Sequence, residues 1–248
     1  KTADVIARRM GLPPNDPTRI EAGVRHVLEE AAGGGHVFLP RPELEERALK
    51  LLGLEADDGE IVSPRVALTA AIDRLLTDGE LESEVLDDEE ALFLRALFEA
   101  ERRVADELAR IVRAPSAVAP EALTAAINGA QSRLGLSYHQ LQSEGLARLG
   151  EGNVLVITGG PVTGKTTLIR GVIEVLELLG LEYALWAPTG RAAKRMHEAT
   201  GRDAKTVHRL LRYQPRENLF MMDRNTPLPE RAVIVDEMSM VDVTLFGS

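Results

Sequence analysis

Hydrophobic positions along the chain change their spacing near residue 135, and the change separates two kinds of predicted structure. Before it, apolar residues recur at helical intervals in short segments that end at glycine or proline. After it, β-branched and other apolar runs alternate with helical segments, as in a parallel α/β sheet. The pattern predicts a helical accessory region over 1–85, a long helix and linker over 86–134, and an α/β domain over 135–248.

Short helices dominate the prediction before residue 85. Their apolar positions place them at about 3–10, 17–32, 43–52 and 64–76, and residues 79–85 alternate like an edge strand. Helix, helix and strand in this order suggest a winged-helix-like unit.

The acidic block at residues 87–90 is predicted to begin a helix, because carboxylates interact favourably with the helix dipole at an N-terminus. We therefore expect a long amphipathic helix over 88–112. Pro115 and Pro120 then indicate a linker over 113–121.

The α/β part of the chain is predicted from three apolar runs. Residues 153–158 form a continuous β-branched run suited to a buried parallel strand. Further strands are expected at 182–187 and 232–235, with a helix over 165–179 and a basic helix after the second strand. Strands that alternate with helices predict a parallel sheet.

Composition limits the chemistry of the chain. With 248 residues, 44% of them hydrophobic, it can bury one large core or two smaller ones. The absence of cysteine excludes disulfides, thiolate metal sites and a cysteine nucleophile, so any metal must be bound by oxygen. No run approaches the roughly 18 to 20 apolar residues that cross a bilayer, and we expect a cytoplasmic protein without a membrane partner.

Charge is distributed unevenly. The net charge is −10, and residues 1–150 account for all of it because residues 151–248 sum to zero. Within the second part, residues 191–216 are rich in basic side chains: Arg191, Lys194, Arg195, Arg202, Lys205, Arg209, Arg212 and Arg216. This excess either faces nucleic-acid phosphates or forms a solvated helix face.

A glycine-rich turn between the first strand and its helix carries the strongest chemical signal. Residues 159–166, Gly-Gly-Pro-Val-Thr-Gly-Lys-Thr, match G-x-x-x-x-G-K-[ST] in the strand–turn–helix context that this motif requires. Glycines let successive N–H groups point at phosphates, and the helix N-terminus adds its positive end. Lys165 is expected to bridge the terminal phosphates and Thr166 to give its hydroxyl to Mg²⁺.

Two adjacent carboxylates follow the strand at 232–235. In open α/β sheets, ligands bind at the carboxyl ends of the strands. Asp236 is expected to hold Mg²⁺, directly or through water, and Glu237 to orient and deprotonate an attacking water. An acidic pair after a strand is common in loops, but behind a phosphate-binding loop it is the expected partner.

Four ordered motifs resemble those of superfamily 1 helicases of the RecD type. They are residues 159–166, Ala-Pro-Thr-Gly-Arg-Ala-Ala at 187–193, Thr-Val-His-Arg-Leu-Leu at 206–211, and Asp-Glu-Met-Ser-Met at 236–240. The resemblance implies a RecA-like domain that hydrolyses MgATP to move 5′ to 3′ along single-stranded DNA.

Two weaker elements extend this resemblance upstream. Leu-Ser-Tyr-His-Gln at 136–140 is similar to the element in which a glutamine reads the adenine edge, although Gln142 competes with Gln140 for that role. Residues 3–7, 19–23 and 35–40 resemble the long-extension RecD subclass. There, helix-hairpin-helix elements precede the motor, so the resemblance implies an all-α, helix-hairpin-helix or winged-helix-like accessory region.

The resemblance assigns roles to named residues. Its ATP contacts are Gln140, Gly160, Pro161, Val162, Thr163, Gly164, Lys165, Thr166 and Thr167. Its DNA contacts are Thr189, Arg191, Lys194, Thr206, His208 and Arg209. Lys165, Asp236 and Glu237 are the expected catalytic residues, and Thr166 and Asp236 the expected metal ligands. Residues 214–228 look like the small hairpin that helps to part the strands.

Two departures from the family pattern matter. Valine occupies position 162 where the family usually has glycine, and a β-branched side chain is costly if the backbone there needs a positive φ. The sequence also ends before the later motifs, so the strand that should lie between the strands at 153–158 and 232–235 is missing. We therefore expect an incomplete sheet, and a piece of a longer polypeptide with little activity of its own.

Other functions remain open at this point. The chain can be a non-catalytic nucleotide- or DNA-binding module. A P-loop kinase or nucleotidase is disfavoured, since such enzymes do not need the motifs at 187–193 and 206–211. An RNA helicase is a further alternative, because nothing in the sequence reads a 2′-hydroxyl.

Overall fold

The computed structural model describes residues 13–14, 16–54, 63–116, 118–159, 164–217 and 219–247. They divide into two units, one ending at Val104 and including Asp242–Gly247, the other covering Ala105–Val241. The helix predicted at 3–10 lies outside the described residues. None of the helices in the described ranges combines the length and apolar character that crossing a bilayer requires.

The helices in chain order are α1 (Pro17–Gly33), α2 (Arg41–Leu52), α3 (Pro64–Thr77), α4 (Arg95–Arg113), α5 (Pro120–Leu134), α6 (Gln140–Ala147), α7 (Lys165–Leu178), α8 (Gly190–Thr200), α9 (Val207–Leu210) and α10 (Val243–Phe246). The strands are β1 (Phe38–Pro40), β2 (Leu81–Leu86), β3 (Glu89–Leu94), β4 (Tyr183–Ala187), β5 (Ala204–Thr206), β6 (Tyr213–Gln214), β7 (Leu219–Phe220) and β8 (Ala232–Val235).

Helices α1, α2 and α3 enclose the core of the first unit, as their apolar periodicity predicts. Helix α1 begins where the Asp16 carboxylate accepts a hydrogen bond from the backbone N–H of Arg19 at 3.1 Å, with proline at its first position. Its apolar face, which includes Ile20 and Val24, is fully buried against α2 and α3. These helices confirm the sequence prediction within a few residues.

The acidic block at residues 87–90 forms a hairpin, so the prediction of a helix from residue 88 is wrong there. Asp87 and Asp88 have φ values of 49° and 65° and join β2 to β3, with Leu86 opposite Glu89. Two left-handed residues suit a two-residue hairpin turn, because its twist matches that of the strands. The helix instead begins at Arg95.

The accessory region, predicted as all-α, therefore also contains an antiparallel sheet. Its strand order is β1-β3-β2, and the edge strand predicted at 79–85 corresponds to β2. The central strand β3 pairs with a strand on each side and buries Leu92 and Phe93 completely.

A parallel sheet organises the second unit and confirms the predicted fold class. Its strand order is β5-β4-β8, and β4 pairs in parallel with both neighbours. Residues Ala184–Ala187 are buried, and Leu185 packs with Ile173 of α7 and Met196 of α8. The strands predicted at 182–187 and 232–235 and the helix at 165–179 are confirmed to within one residue.

The strand predicted at residues 153–158 does not form. In the described part of the chain, no strand pairs with this segment, and Val156 is 78% exposed. Asn153 instead donates side-chain hydrogen bonds to the carbonyls of Ile111 and Ala114 at the end of α4, at 3.0 and 2.6 Å. A β-branched run favours an extended backbone, but a strand needs a neighbour.

An ion-pair network fastens the C-terminal end of α7 to the sheet. Arg202 donates to both carboxylate oxygens of Glu177, at 2.7 and 3.0 Å, and to Glu174 at 3.3 Å. The Tyr183 hydroxyl donates to Glu177 at 2.7 Å. The hydrogen bonds from Arg202 lower the pKa of Glu177, while burial, followed by the bond to Glu177, raises the pKa of Tyr183 to about 12.

Replacing Glu177 by glutamine should lower the free energy of unfolding by about 1 to 2 kcal/mol at neutral pH, since it removes a charge-assisted, partly buried pair. The folded-state pKa of Glu177 lies below its ordinary value of 4.5. Its stabilising effect is therefore full above pH 4.5 and is lost as the pH falls through the lowered pKa. Chemical denaturation at several pH values measures the difference between the two proteins. Glu151→Gln is the control, because its pair with Arg148 is 62–65% exposed. If the difference in unfolding free energy between Glu177→Gln and the parent chain does not shrink in acid, the stabilising role assigned to the Glu177 carboxylate is wrong.

Candidate nucleotide and nucleic-acid site

The carboxyl ends of the three parallel strands bring the predicted site residues to one edge of the sheet. Trp186 pairs with Val235 on one side and with Lys205 on the other, so the strands end level with one another. Thr189 follows β4, Thr206 is the last residue of β5, and Asp236 follows β8. Ligands of open α/β sheets bind at this edge.

Helix α7 points its N-terminus at the same edge. Its C-terminal end meets the start of β4 through the Glu177–Tyr183 hydrogen bond, so α7 runs antiparallel to β4 and Lys165 lies at the opposite end. Lys165 donates a hydrogen bond from Nζ to the carbonyl of Gly159, the first residue of the predicted phosphate loop. Residues 160–163, which include Val162, lie outside the described residues.

Gly164 is the N-cap of α7 and has a φ of 84°. Glycine adopts this left-handed conformation without the steric cost that a side chain adds. Thr166 and Thr167 follow in the first turn of α7, as the motif predicts, and Thr166 is exposed. The N–H groups of this turn are the ones that a helix leaves without intrahelical partners, which makes the site suitable for an anion.

Asp236 and Glu237 differ in their surroundings. The backbone N–H of Asp236 donates to the carbonyl of Trp186 at 3.1 Å and continues the pairing of β8 with β4. The Asp236 carboxylate accepts from the backbone N–H of Glu237 at 2.9 Å. Glu237 is exposed and has a φ of 57°, which is uncommon for a residue with a side chain and occurs often at functional sites.

The donor set fits magnesium carried by a nucleotide. Within the described ranges, no group of three or more His, Asp or Glu side chains could hold a metal ion by itself. Mg²⁺ is usually held by one or two protein oxygens, with phosphate and water completing its octahedron. The Asp236 carboxylate and the Thr166 hydroxyl are oxygen donors of this kind.

The two candidate glutamines face different directions. Gln140 donates to Glu144 at 3.0 Å on the exposed side of α6. Gln142 accepts from the backbone N–H of His139 at 3.0 Å and places its Nε2 3.5 Å from the Gly164 carbonyl. The sequence motif singled out Gln140, whereas the glutamine that contacts the phosphate loop is Gln142.

Thr189 and Thr206 each cap a helix at the carboxyl edge. The Thr189 hydroxyl accepts from Ala192 at 3.2 Å, and the Thr206 hydroxyl accepts from Arg209 at 3.4 Å. A hydroxyl that accepts a hydrogen bond still carries a proton that it can donate to a phosphate oxygen. The capping role explains why both threonines stand where a strand becomes a helix.

The basic residues of 191–216 differ in their exposure and in their partners. Arg191, Lys194 and Arg209 are exposed close to the carboxyl edge, and His208 lies exposed beside Arg209. Lys194 lies 3.8 Å from Glu198, one turn away, which is a weak surface pair. Arg202 instead belongs to the network with Glu177, so its charge is used within the fold.

Three aromatic rings lie together after β5. The ring centroid of His208 is 5.3 Å from that of Tyr213 and 5.8 Å from that of Phe220, and Tyr213 and Phe220 are 5.0 Å apart. The pairing of β6 with β7 creates this group by setting Tyr213 opposite Phe220. Sequence reasoning did not select Tyr213, because it lies just before the hairpin predicted at 214–228, whereas the observed pairing begins at Tyr213.

Known proteins resemble both parts of the chain. The profile of the AAA domain family matches residues 142–248, and the profile of the ATP-dependent RecD2 DNA helicase HHH domain matches residues 1–38. The ATP-dependent RecD2 DNA helicase of Deinococcus radiodurans is 34% identical over an alignment of 266 residues. The alignment covers 100% of this chain and 34% of that protein.

Further relatives match the α/β part. RecD, a subunit of the RecBCD enzyme of Mycobacterium tuberculosis, is 42% identical over 117 residues, which cover 38% of this chain and 20% of the subunit. The ATP-dependent DNA helicase dda of Enterobacteria phage T4 is 37% identical over 98 residues, 37% of this chain and 22% of that helicase. The chain thus spans between a fifth and about a third of these relatives.

Replacing Gly164 by alanine should lower the free energy of unfolding by about 1 to 2 kcal/mol, the cost of a left-handed non-glycine residue. The added Cβ would also lie 2.6 Å from Nε2 of Gln142. Gly190→Ala is the matched control, because a Cβ there has no neighbour within 4 Å. Thermal and urea unfolding measure both variants. Equal stability of the two variants contradicts the strain assigned to Gly164.

Proposed function

Since the chain belongs to the RecD-type helicase family, we propose that it supplies the ATP-binding part of a DNA helicase motor. In this proposal, MgATP hydrolysis drives movement on single-stranded DNA in the 5′ to 3′ direction. The observation that carries the proposal is the convergence of the phosphate-loop helix, the acidic pair and the two threonine-capped helices at one edge of the parallel sheet. The direction of movement comes from the family resemblance.

Four side chains have separate roles in the proposed nucleotide site. Lys165 neutralises charge on the terminal phosphates at the N-terminus of α7. Asp236 and the hydroxyl of Thr166 hold Mg²⁺, which, when bound, neutralises charge on the phosphate oxygens. Glu237 orients the attacking water and accepts its proton.

Contacts within the sheet link this chemistry to DNA. The backbone hydrogen bond from Asp236 to Trp186 joins the acidic pair to β4. Strand β4 leads directly to Thr189 and Arg191, and its other neighbour, β5, leads to Thr206 and His208. A displacement of Asp236 during the nucleotide cycle therefore acts on the strand that carries the DNA contacts.

A non-catalytic nucleotide- or DNA-binding module is the second candidate, and one observation favours it. Residues 153–158, which lead into the phosphate loop, lie outside the sheet and are largely exposed. Phosphate release measured with and without single-stranded DNA separates the two functions. DNA-stimulated release supports the motor, and binding without release supports the module. Competition between matched DNA and RNA oligonucleotides tests the choice of nucleic acid.

Lys165→Ala should weaken ATP binding by about tenfold or more, because a charge-assisted hydrogen bond contributes about 1.5 to 3 kcal/mol. Its unfolding temperature should stay close to that of the parent chain, since Lys165 is exposed. Calorimetric titration with MgATP measures the affinity, with Lys50→Ala on the surface of α2 as the control. ATP affinity that is unchanged in Lys165→Ala refutes the site.

Glu237→Gln should bind MgATP as tightly as the parent chain. It should release phosphate at a rate at least about 100-fold lower, which is the loss expected when a general base is removed. The amide cannot accept the proton of water, while Asp236 remains to hold the metal. Single-turnover phosphate release measures the effect, and Glu46→Gln, exposed on α2, is the control. Equal turnover in Glu237→Gln and the parent chain would exclude Glu237 as the base.

Binding to single-stranded DNA should weaken with salt, with a log–log slope of about 0.7 for each phosphate neutralised. Alanine at Arg191, Lys194, Lys205 or Arg209 should each reduce the slope by up to about 0.7. Arg65→Ala in α3 is the control for loss of a surface charge. Fluorescence anisotropy of a labelled oligonucleotide across a salt series measures the slopes. If the affinity does not depend on salt, these residues do not contact phosphates and form a solvated helix face instead.

A further inference from the structure

The hairpin formed by β2 and β3 presents negative charge to solvent. Every charged residue from 82 to 90 is a carboxylate: Glu82, Glu84, Asp87, Asp88, Glu89 and Glu90. Arg41 forms an ion pair with Glu90 at 2.9 Å. Glu84, Asp87, Asp88 and Glu89 are exposed, and no residue in the described ranges forms an ion pair with them. Most of the charge of the hairpin is therefore not neutralised within the fold.

This charge disfavours a nucleic acid as the ligand of the hairpin. The elements α1, β1, α2, α3, β2 and β3 follow the chain order of a winged-helix unit, whose third helix and hairpin commonly meet DNA. Such contacts need Lys or Arg side chains that neutralise phosphates. Helix α3 has two basic residues, Arg65 and Arg74, and Arg74 is paired with Glu21 at 2.8 Å. The hairpin itself would repel phosphates.

Strand β2 lies at the edge of its sheet, so one side of its backbone has no neighbouring strand. The turn determines which residues face that side. Leu86 and Glu89 flank a two-residue turn and form a hydrogen-bonded pair, and such pairs alternate along the hairpin. Ser83 and Val85 therefore direct their backbone N–H and C=O groups away from β3. Among the described residues, no hydrogen bond from outside the sheet reaches these groups.

The free edge of β2 can accept another extended chain, because an edge strand offers its unpaired backbone groups as a template. A second copy of β2 is disfavoured, since the acidic strands would repel each other. Side chains alternate between the two faces of a strand, so Glu82 and Glu84 share one face and Val85 lies on the other, 71% exposed. An incoming strand with basic residues on one face and apolar residues on the other complements both.

We propose that the edge strand β2 is a docking site for a basic segment of a partner protein, which joins the sheet as a further strand. Backbone hydrogen bonds to Ser83 and Val85 hold the segment. Its Lys or Arg side chains pair with Glu82 and Glu84, and this charge complementarity selects the partner. The site belongs to the first unit and uses none of the residues of the proposed nucleotide site.

The probe is a fluorescently labelled peptide of alternating residues, Lys-Val-Lys-Val-Lys-Val-Lys, titrated with the full 248-residue chain. With lysines beside Glu82 and Glu84, the valines lie opposite Ser83 and Val85, so valine N–H groups are the ones that bond to β2. A matched peptide with proline at the central valine lacks one of these donors. It should bind at least about tenfold more weakly, as fluorescence anisotropy measures. Hydrogen exchange of the amides in residues 81–86 should slow when the first peptide binds.

Two variants separate strand addition from general attraction between opposite charges. Val85→Pro removes an N–H that faces away from β3, so the hairpin keeps its own hydrogen bonds while the peptide loses a partner. We expect at least about tenfold weaker binding. Glu82→Gln with Glu84→Gln should weaken binding by about 3- to 10-fold, the effect of losing two cross-strand charge pairs.

The matched control is Glu29→Gln with Glu30→Gln, which removes the same charge from an exposed part of α1 and should leave peptide affinity unchanged. Thermal unfolding followed by circular dichroism shows whether each variant is folded. If Val85→Pro does not fold, the proline peptide still tests the backbone pairing on the unaltered chain.

Four outcomes would overturn the proposal. The parent chain does not bind the alternating peptide, or it binds the proline peptide equally well. Folded Val85→Pro binds the alternating peptide as tightly as the parent chain. The two double variants weaken binding equally, so that net charge attracts the peptide. The parent chain binds a duplex oligonucleotide and the β2 variants lose that binding, which makes the hairpin a DNA contact. None of these measurements involves ATP, so the proposed function stands or fails separately.

Discussion

The parallel pairing of β4 with β5 on one side and β8 on the other is the constraint on which the site depends. Parallel strands with level ends place whatever follows each strand at one edge. Residues far apart in sequence, such as Thr189, Thr206 and Asp236, meet there for this reason alone. The burial of β4 on both faces keeps it central and holds the other two strands in register.

Helix α7 is held at both of its ends, and each end has a different role. Its C-terminal end is fixed to β4 by the hydrogen bond from the Tyr183 hydroxyl to Glu177, and to the segment between α8 and β5 by charge-assisted hydrogen bonds from Arg202 to Glu177. Its N-terminal end is capped by a left-handed glycine and faces Gln142. The first end contributes to stability, and the second carries the groups that we propose bind phosphate. A helix fixed in this way presents its N-terminus to a ligand with little further ordering.

In the proposed function, two kinds of ligand bind at the same edge of the sheet. Strand β8 ends in carboxylates suited to a metal–phosphate group, and its neighbour β4 ends at a threonine-capped helix with exposed basic residues. This neighbouring arrangement is the physical basis for the proposed motor, because it connects hydrolysis and DNA contact through backbone hydrogen bonds.

Local sequence determined the elements whose signals are complete within a few residues. The periodicity of α1, the glycine and lysine that begin α7, and the apolar run of β8 all predicted their structures because capping, helical spacing and strand alternation are local properties. Tertiary structure decided the rest. The β-branched run at 153–158 has the preference for a strand but pairs with no strand in the described ranges, and Asn153 bonds instead to the end of α4. Asp87 and Asp88 have the charge of a helix start, yet the pairing of β3 between β1 and β2 makes them a hairpin turn. Gln142 faces the phosphate loop only because α6 packs on α7, a contact between residues 22 positions apart that no local pattern contains.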